Sequence, residues 1–142
     1  MRKILLVSHG RLASGIKNSI DVLLGDSSAV IAIDAYLDNS DYTIKIKEFI
    51  DKRKPNDEAI IFTDILGGSV FQKVLLEEPE KKGVLHVTGM NLPVVIECLL
   101  TPEKLTEQTV DKIASTAASQ LKRVSIFQEG STEPQNDKDF FV

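Results

Sequence analysis

The 142-residue sequence predicts an α/β fold in which helices cover both faces of a doubly wound, mostly parallel sheet. Four apolar segments, at 3–8, 29–35, 59–64 and 83–88, are each followed by residues whose apolar positions recur at helical spacing. These segments are nearly continuous in Val, Ile, Leu and Phe, which is typical of strands buried beneath helices on both sides. The common strand order for such an alternation is 2-1-3-4.

The first helices follow directly from the spacing of apolar residues. Segments 12–24 and 42–50 carry apolar side chains three and four positions apart, so each predicts an amphipathic helix. Ser40 or Asp41 would cap the second of them. A third, shorter helix follows a Gly-Gly-Ser sequence, with its apolar positions at Val70, Phe71, Val74 and Leu75.

Two more helices are predicted in the last third of the chain. Segment 91–100, with a proline two residues after an asparagine, predicts a short apolar helix. Thr101 and Pro102 predict the start of another helix, which runs to about Lys122 with Leu121 in its buried stripe.

The chain is predicted to form one domain, residues 1–128, followed by a C-terminal tail, residues 129–142. A short strand at 123–127 would close the domain at a sheet edge, in this subunit or in a partner. The tail lacks apolar periodicity and contains several helix breakers, which is typical of a mobile segment.

Charge and composition exclude several classes of function. The net charge is −4 and the cationic residues are scattered, which argues against a nucleic-acid interface or a membrane-surface patch. The single cysteine excludes an internal disulfide, and neither a signal peptide nor an apolar run long enough to cross a bilayer is present. The predicted location is the cytoplasm, and no cofactor is predicted.

Polar residues follow the ends of the predicted strands, where open α/β sheets bind their ligands. The first strand ends at His9 and the third at Asp64, and the strand order 2-1-3-4 would place the two side chains across one crevice. If Asp64 accepts a hydrogen bond from one ring N–H, the other nitrogen keeps a lone pair that can attack phosphorus. The alternative is that His9 only bonds a loop carbonyl.

The sequence Gly67-Gly68-Ser69 precedes the third helix and predicts a phosphate-binding loop. Backbone N–H groups at a helix N-terminus attract anions, and glycines let an anion come close to the backbone. Ser69 adds a hydroxyl donor and is also a candidate N-cap. The alternative is a plain turn and cap. Neither a Walker lysine nor a G-x-G-x-x-G sequence is present, so a small phosphoryl group is favoured over a nucleotide.

Other chemically suggestive residues are interpreted as structural. His86 lies within the fourth strand and is predicted to be a core or edge histidine, and Cys98 is predicted to be a small buried apolar residue. Asp34, Asp38 and Asp41 are spaced for turns and helix capping, so no metal site is predicted.

Together, four sequences in order along residues 1–128 resemble one family. They are "VSHG" at 7–10, "LLGD" at 23–26, "FTDILGGSVF" at 62–71 and "GMNLPVVIECLL" at 89–100. The sequence is similar to the IIA component of the mannose-class (mannose/fructose/sorbose) bacterial sugar phosphotransferase system.

The resemblance implies a phosphotransferase with a phosphohistidine intermediate. His9 would carry the phosphoryl group, Asp64 would orient it, and Ser69 would lie near it. The donor would be a histidine phosphocarrier protein, and the acceptor a histidine or cysteine of a sugar-specific IIB component. Family members are typically homodimers that exchange the terminal strand, which the strand at 123–127 would suit. We expect both partners to contact apolar residues around the crevice, namely Leu12, Ile65, Leu66, Met90 and Leu92.

The sequence also departs from the better-known mannose members. Ile65 and Leu66 stand where those members have Thr and Trp, and Val70 stands where they have Pro, so the sugar is left open. No Ala/Pro-rich linker is present, so the IIB component is expected on a separate polypeptide. A more distant branch of the family, the phosphoryl-donor subunit for dihydroxyacetone kinase, lacks the Gly-Gly-Ser pattern found here.

Three other functions compete with this interpretation. In a serine hydrolase, Ser69 would be the nucleophile, His9 the base and Asp64 the orienting residue. However, Ser69 and Asp64 are so close in sequence that a linear arrangement is expected to be awkward, and the G-x-S-x-G elbow is missing. A flavodoxin-like module would bind a nucleotide or flavin phosphate at the glycine loop. A receiver domain would need an aspartate where His9 stands.

Overall fold

A computed structural model describes residues 1–126, which form a four-stranded parallel sheet with α-helices on both faces. The strands are β1 (Arg2–His9), β2 (Val30–Ala35), β3 (Glu58–Thr63) and β4 (Val84–Thr88). They lie in the order β2-β1-β3-β4, and each neighbouring pair is parallel. The predicted fold class and strand order are confirmed.

Five α-helices connect and follow the strands within the described residues. They are α1 (Leu12–Leu24), α2 (Thr43–Asp51), α3 (Ser69–Leu76), α4 (Leu92–Leu100) and α5 (Glu107–Ala118). A single turn of 3₁₀ helix, Pro79–Lys82, leads into β4. No helix in this part of the chain is long and apolar enough to cross a membrane.

The core is divided by the sheet into two apolar layers, because successive side chains of a strand point to opposite faces. On one face, Ile4, Leu6 and Phe62 pack with residues of α1, α4 and α5. On the other face, Leu5 and Val7 pack with residues of α2 and α3. The central strands β1 and β3 are thus buried on both sides, which holds their carboxyl ends side by side.

Side chains from a strand end and a loop bond N–H groups in the first turns of α1 and α4, which both start at the carboxyl edge of the sheet. The Ser8 hydroxyl accepts the Ala13 N–H at 2.8 Å, which satisfies one N–H in the first turn of α1. Asn91 Oδ1 accepts the Val94 N–H at 2.9 Å, so the predicted start of α4 is confirmed. These hydrogen bonds fix where α1 and α4 leave the carboxyl edge of the sheet.

The predicted start and end of the last helix are wrong. The helix begins at Glu107, with Thr106 as its N-cap, and not at Thr101 and Pro102. The reason is a long-range contact: Arg2 donates to the Thr101 and Glu103 carbonyl oxygens, which holds the intervening segment out of helical geometry. At its other end α5 stops at Ala118, so Leu121 lies outside it and is 90% exposed.

Within residues 1–126, no part of the predicted strand at 123–127 joins the sheet. Residues 123–126 form neither helix nor strand, and residue 127 lies outside the described residues. The domain boundary at residue 128 and the tail at 129–142 also lie outside them. The exchange of this segment between subunits therefore stays a prediction.

Candidate functional site

His9 and Asp64 meet at the carboxyl edge of the sheet. The last residue of β1 is His9, and Asp64 follows the last residue of the neighbouring strand β3. Asp64 Oδ2 lies 2.7 Å from His9 Nδ1 and also accepts the His9 backbone N–H at 2.7 Å. One carboxylate oxygen thus fixes both the backbone and the ring of His9.

The carboxylate of Asp64 is held in its charged form although its side chain is only 6% exposed. Burial acts to raise the pKa of Asp64, but hydrogen bonds from the His9 backbone, the His9 ring and the Ile65 N–H outweigh it and hold the pKa below its usual value. A charged carboxylate at Nδ1 favours the tautomer with its proton on Nδ1. Nε2 is then the nitrogen with the free lone pair.

Ser69 faces that second nitrogen. Its hydroxyl oxygen lies 3.1 Å from His9 Nε2, and the His9 side chain is 41% exposed. The predicted role of Ser69 as N-cap is wrong, because Gly68 occupies the cap position of α3 with an extended backbone. Ser69 is instead the first residue of the helix, which leaves its hydroxyl available to the ring of His9.

The glycines bring the start of α3 close to the histidine ring. Gly67 has a φ of 79°, a left-handed conformation that favours glycine. A Cβ atom at Gly68 would lie 3.7 Å from His9 Cε1 and 3.3 Å from the Ile65 carbonyl oxygen. The Gly68 N–H already donates to that carbonyl, so the N–H groups left for an anion are those of the first turn of α3.

Two tyrosines that the sequence analysis did not single out extend the site. The Tyr36 hydroxyl donates to Ser69 Oγ at 2.9 Å and lies 3.1 Å from the Tyr42 hydroxyl. The Tyr36 ring covers His9 with its centroid 5.3 Å away, and its φ is 68°. Its place directly after β2 was a usable signal, because other strand ends at this edge carry site residues. Its backbone conformation was not predictable.

The residues interpreted as structural lie outside this cluster. His86 Nε2 contacts the Thr63 hydroxyl at 2.8 Å, and burial lowers the pKa of its ring. Cys98 is fully buried, and burial raises the pKa of its thiol to about 11. Asp38 accepts the Ser40 N–H in a local turn. No group of three or more metal-ligating side chains occurs among residues 1–126.

Asp34 and Asp41 accept N–H groups at the starts of α1 and α2, but the predicted cap of α2 at Ser40 or Asp41 is wrong, because Tyr42 is its N-cap residue. Asp34 accepts the Ser14 N–H at 2.9 Å and its hydroxyl at 2.6 Å, next to the start of α1. Asp41 Oδ1 accepts the Thr43 N–H at 3.0 Å, at the first residue of α2. Both carboxylates therefore serve local structure at the edge of the crevice.

The five residues expected to contact partners are exposed to different degrees. Leu12, Ile65 and Leu66 are exposed, by 48%, 58% and 73%. Leu92 is half-buried against the core, and Met90 belongs to the core with 7% exposure. Met90 therefore supports the crevice from below and is not available to a docking protein.

The structure overturns the expectation that a linear serine, histidine and aspartate arrangement is awkward. Ser69 Oγ, the His9 ring and Asp64 Oδ2 are in line, with 3.1 Å and 2.7 Å between the bonded atoms. The loop between Asp64 and Ser69 makes this possible by turning at Gly67. The hydrolase hypothesis therefore has to be judged on the surroundings of Ser69.

Comparisons with known proteins point to one family. The model of the EIIA-man family, described as the fructose IIA component of the phosphotransferase system (PTS), matches residues 3–130. A Klebsiella pneumoniae protein described as a phosphoenolpyruvate-dependent sugar PTS permease superimposes with a TM-score of 0.77 at 27% identity, over 86% of this chain and 90% of that one.

Two further solved structures are similar. The PTS component EIIA from Streptococcus agalactiae has a TM-score of 0.74 at 25% identity, over 87% of this chain and 97% of that one. The mannose/sorbose-specific IIA subunit from Enterococcus faecalis has a TM-score of 0.73 at 19% identity, over 89% of this chain and 97% of that one. The last of these shows likeness of fold alone.

Proposed function

The chain belongs to the EIIA-man family of PTS IIA components, and from this membership we propose that it carries a phosphoryl group on His9. It accepts the group from a histidine phosphocarrier protein and passes it to a IIB component for sugar uptake. The observation that carries the proposal is the pair of hydrogen bonds on His9, with Nδ1 on Asp64 and Nε2 facing the surface beside Ser69.

The chemistry assigned to His9 is an in-line exchange between two histidines. The Nε2 lone pair attacks phosphorus, and the phosphorus–nitrogen bond of the donor breaks with its electron pair returning to the donor ring. The His9 ring keeps its proton on Nδ1 and gains positive charge as the new bond forms. Asp64 stabilises that charge through its hydrogen bond to Nδ1, as a carboxylate does for other catalytic imidazoles.

The start of α3 provides the groups that stabilise the transferred phosphoryl oxygens. The first-turn N–H groups have no partner within the helix and lie at the positive end of its dipole. The Ser69 hydroxyl is a further donor at the same place. Such fixed dipoles act where negative charge is spread over the phosphoryl oxygens, which is the main demand of phosphoryl transfer.

We place partner docking on the exposed apolar residues around the crevice, Leu12, Ile65 and Leu66, with Leu37 as an addition. Leu37 is 49% exposed and follows Tyr36 directly. Transient complexes use modest interfaces, and apolar residues around an accessible Nε2 suit a partner that must bring its own histidine or cysteine to the same point. The IIB component and the sugar stay open, and a cytoplasmic location stays a prediction.

The proposal includes a homodimer, supported by two features of the described chain. Strand β4 lies at the edge of the sheet, with a neighbour on one side within residues 1–126. Val124 and Ile126, two positions apart as on one face of a strand, are 82% and 85% exposed. A strand from a second subunit along β4 would cover the edge and those apolar side chains together.

The serine hydrolase is a second candidate because of the linear arrangement of Ser69, His9 and Asp64. Against it, the Tyr36 hydroxyl donates to Ser69 Oγ, and a hydrogen bond accepted by a nucleophilic oxygen makes that oxygen less reactive. A fluorophosphonate probe distinguishes the two candidates. We expect no label on Ser69, whereas covalent modification of Ser69 that requires His9 would favour the hydrolase.

The decisive experiment is phosphorylation from phosphoenolpyruvate in the presence of enzyme I and the histidine phosphocarrier protein, read by intact mass. Wild type should gain one phosphoryl group that survives alkali, which distinguishes phosphohistidine from an acyl phosphate. His9→Ala should gain none. The matched control is His86→Gln, because His86 is the only other histidine, and it should be labelled like wild type. Equal labelling of His9→Ala, or none of wild type, would contradict the proposal.

A further inference from the structure

A chain of hydroxyl groups with a defined direction ends at the reacting nitrogen of His9. The Tyr36 hydroxyl donates its only proton to Ser69 Oγ, so its contact with Tyr42 at 3.1 Å must be accepted from the Tyr42 hydroxyl. Ser69 Oγ, having accepted that bond, has its own proton free to donate to Nε2 at 3.1 Å. Asp64 accepts from Nδ1 on the far side of the ring.

The two tyrosines differ in their surroundings, as this direction requires. Burial and the hydrogen bond to Tyr36 raise the pKa of Tyr42, which therefore keeps its proton and donates it. Hydrogen bonds with Ser69 and Tyr42, with a smaller effect of the Lys73 charge, lower the pKa of Tyr36.

The backbone at Tyr36 is held in an unfavourable conformation. Its φ of 68° is uncommon for any residue other than glycine, asparagine or aspartate, and it costs about 1–2 kcal/mol for a bulky side chain. Such strain is retained where the surrounding structure or function requires it. Here the conformation places the Tyr36 ring over His9 and its hydroxyl on Ser69.

We propose that Tyr36 is a positioning residue for phosphoryl transfer, which acts on His9 through Ser69. The inference rests on the proposed function. In the unphosphorylated protein, Tyr36 directs the Ser69 proton to Nε2 and so keeps that nitrogen unprotonated and oriented. When a phosphoryl group arrives at Nε2, the Ser69–Nε2 bond gives way, and the same Ser69 proton is available to a phosphoryl oxygen.

The physical effect of Tyr36 is polarisation of the Ser69 hydroxyl. A hydroxyl that accepts one hydrogen bond donates a stronger one, because consecutive hydrogen bonds reinforce one another. The benefit is greatest at the transition state, where negative charge is spread over the phosphoryl oxygens. Tyr42 contributes by fixing the direction in which the Tyr36 proton points, although it lies one step further from the reacting atom.

The first test measures His9 in the unphosphorylated protein by ¹⁵N NMR of its ring nitrogens, with His9→Ala used to separate its signals from those of His86. Wild type should show Nε2 unprotonated and hydrogen-bonded. In Tyr36→Phe, which keeps the ring but removes the hydroxyl, the Nε2 signal should move toward the higher frequency of a free unprotonated nitrogen. Tyr42→Phe should cause a smaller shift in the same direction. This measurement does not depend on phosphoryl transfer.

The second test measures single-turnover transfer from the phosphocarrier protein to His9. Tyr36→Phe should slow transfer by about 2- to 10-fold, the equivalent of one hydrogen bond between neutral groups, with little change in the half-saturating donor concentration. The double variant Tyr36→Phe/Ser69→Ala should be no slower than Ser69→Ala alone, because Tyr36 acts through Ser69. Ser115→Ala, which removes an exposed hydroxyl on α5, is the control and should transfer like wild type.

These outcomes separate the inference from the proposed function. An unchanged Nε2 signal and an unchanged transfer rate in Tyr36→Phe would overturn the inference while phosphorylation of His9 stands. Additive losses in the double variant would overturn it as well, since Tyr36 would then act independently of Ser69. Loss of phosphoryl labelling in wild type would instead overturn the proposed function.

Discussion

The two ends of the sheet both carry charged side chains, but they use them differently. At the amino end, the Arg2 guanidinium donates to the carbonyl oxygens of Cys98, Thr101 and Glu103. The Asp57 carboxylate, 7% exposed, accepts a backbone N–H and lies beside two cationic groups. The charged side chains at this end therefore bind the chain's own backbone and one another.

At the carboxyl end, hydrogen bonds hold the polar groups in place and leave the reacting nitrogen of His9 accessible. Asp64 fixes Nδ1 of the His9 ring, whereas Nε2 lies 3.1 Å from the hydroxyl of Ser69 on a side chain that is 41% exposed. The comparison teaches that similar charged clusters on one sheet have different roles. Substitutions at the carboxyl end should lower activity more than stability, and substitutions at the amino end should do the reverse.

The largest effect on activity beyond His9 itself is expected for Asp64→Asn. The carboxylate accepts from His9 with one oxygen and from Ile65 with the other, and an amide has only one oxygen that can accept. The substitution also removes the negative charge that stabilises the phosphorylated ring. Phosphoryl transfer should fall by about 100- to 10,000-fold, while the free energy of unfolding falls by only about 1–2 kcal/mol. A decrease in transfer of less than tenfold would contradict the assigned role.

The strongest test at the amino end is Arg2→Met, which keeps the aliphatic stem and removes the guanidinium. Several carbonyl oxygens and Glu58 lose a charged donor, so the free energy of unfolding should fall by about 2–4 kcal/mol, measured by urea denaturation. Phosphoryl transfer should stay within twofold of wild type. Lys47→Met, which removes an exposed charge on α2, is the control and should change neither quantity.

Much of the sheet and of its carboxyl end could be predicted from the sequence. The strand bounds were predicted to within about one residue because the apolar runs are long and bounded by polar residues. Their order brought His9 and Asp64 together, since neighbouring parallel strands end at the same edge. The start of α4 was also predictable, because its Asn91 cap is a local contact.

The remaining features depend on contacts between residues distant in sequence. Arg2 delays the start of the last helix across about a hundred positions of chain, and no local pattern shows that. The backbone of Tyr36 is left-handed, and the presence of a tyrosine directly after a strand does not predict that conformation. Met90 was expected to contact partners around the crevice, yet it packs in the core with residues of α1, α4 and α5.

A smaller effect at the amino end concerns pH. The pKa of Asp57 is lowered from 3.8 to about 2, mainly by the hydrogen bond from the Lys54 N–H and also by the neighbouring Lys3. Burial acts in the opposite direction but is outweighed. A carboxyl group with a lowered pKa stabilises the fold above its unfolded pKa, and that stabilisation is lost as pH falls through the folded value. Asp57→Asn should therefore be less stable than wild type at neutral pH.

The pH series gives that prediction its test. The difference in free energy of unfolding between Asp57→Asn and wild type should shrink as the pH falls from about 4 to about 2, because wild type then also loses its charge. Phosphoryl transfer at neutral pH should be the same in both proteins. A stability difference that does not vary with pH would mean that Asp57 acts through packing and not through its charge.

The smallest effects are expected for a matched pair of glycine substitutions, one at each end. A Cβ at Gly83, just before β4, would lie 2.7 Å from the Arg53 guanidinium carbon, and the φ there is 80°. Gly83→Ala should therefore cost about 1–2 kcal/mol of stability without changing transfer.

At Gly68 the backbone, with a φ of −74°, accepts alanine without strain. Its Cβ would meet the Ile65 carbonyl oxygen at 3.3 Å and His9 Cε1 at 3.7 Å. A small displacement of a reacting ring is costly, so Gly68→Ala should slow transfer by about threefold to tenfold while stability changes by less than about 1 kcal/mol. The added methyl group is the same at both positions, so its effect should follow from the residues that surround it. If Gly83→Ala slowed transfer and Gly68→Ala lowered stability instead, the division between a stabilising end and a reactive end of the sheet would be wrong.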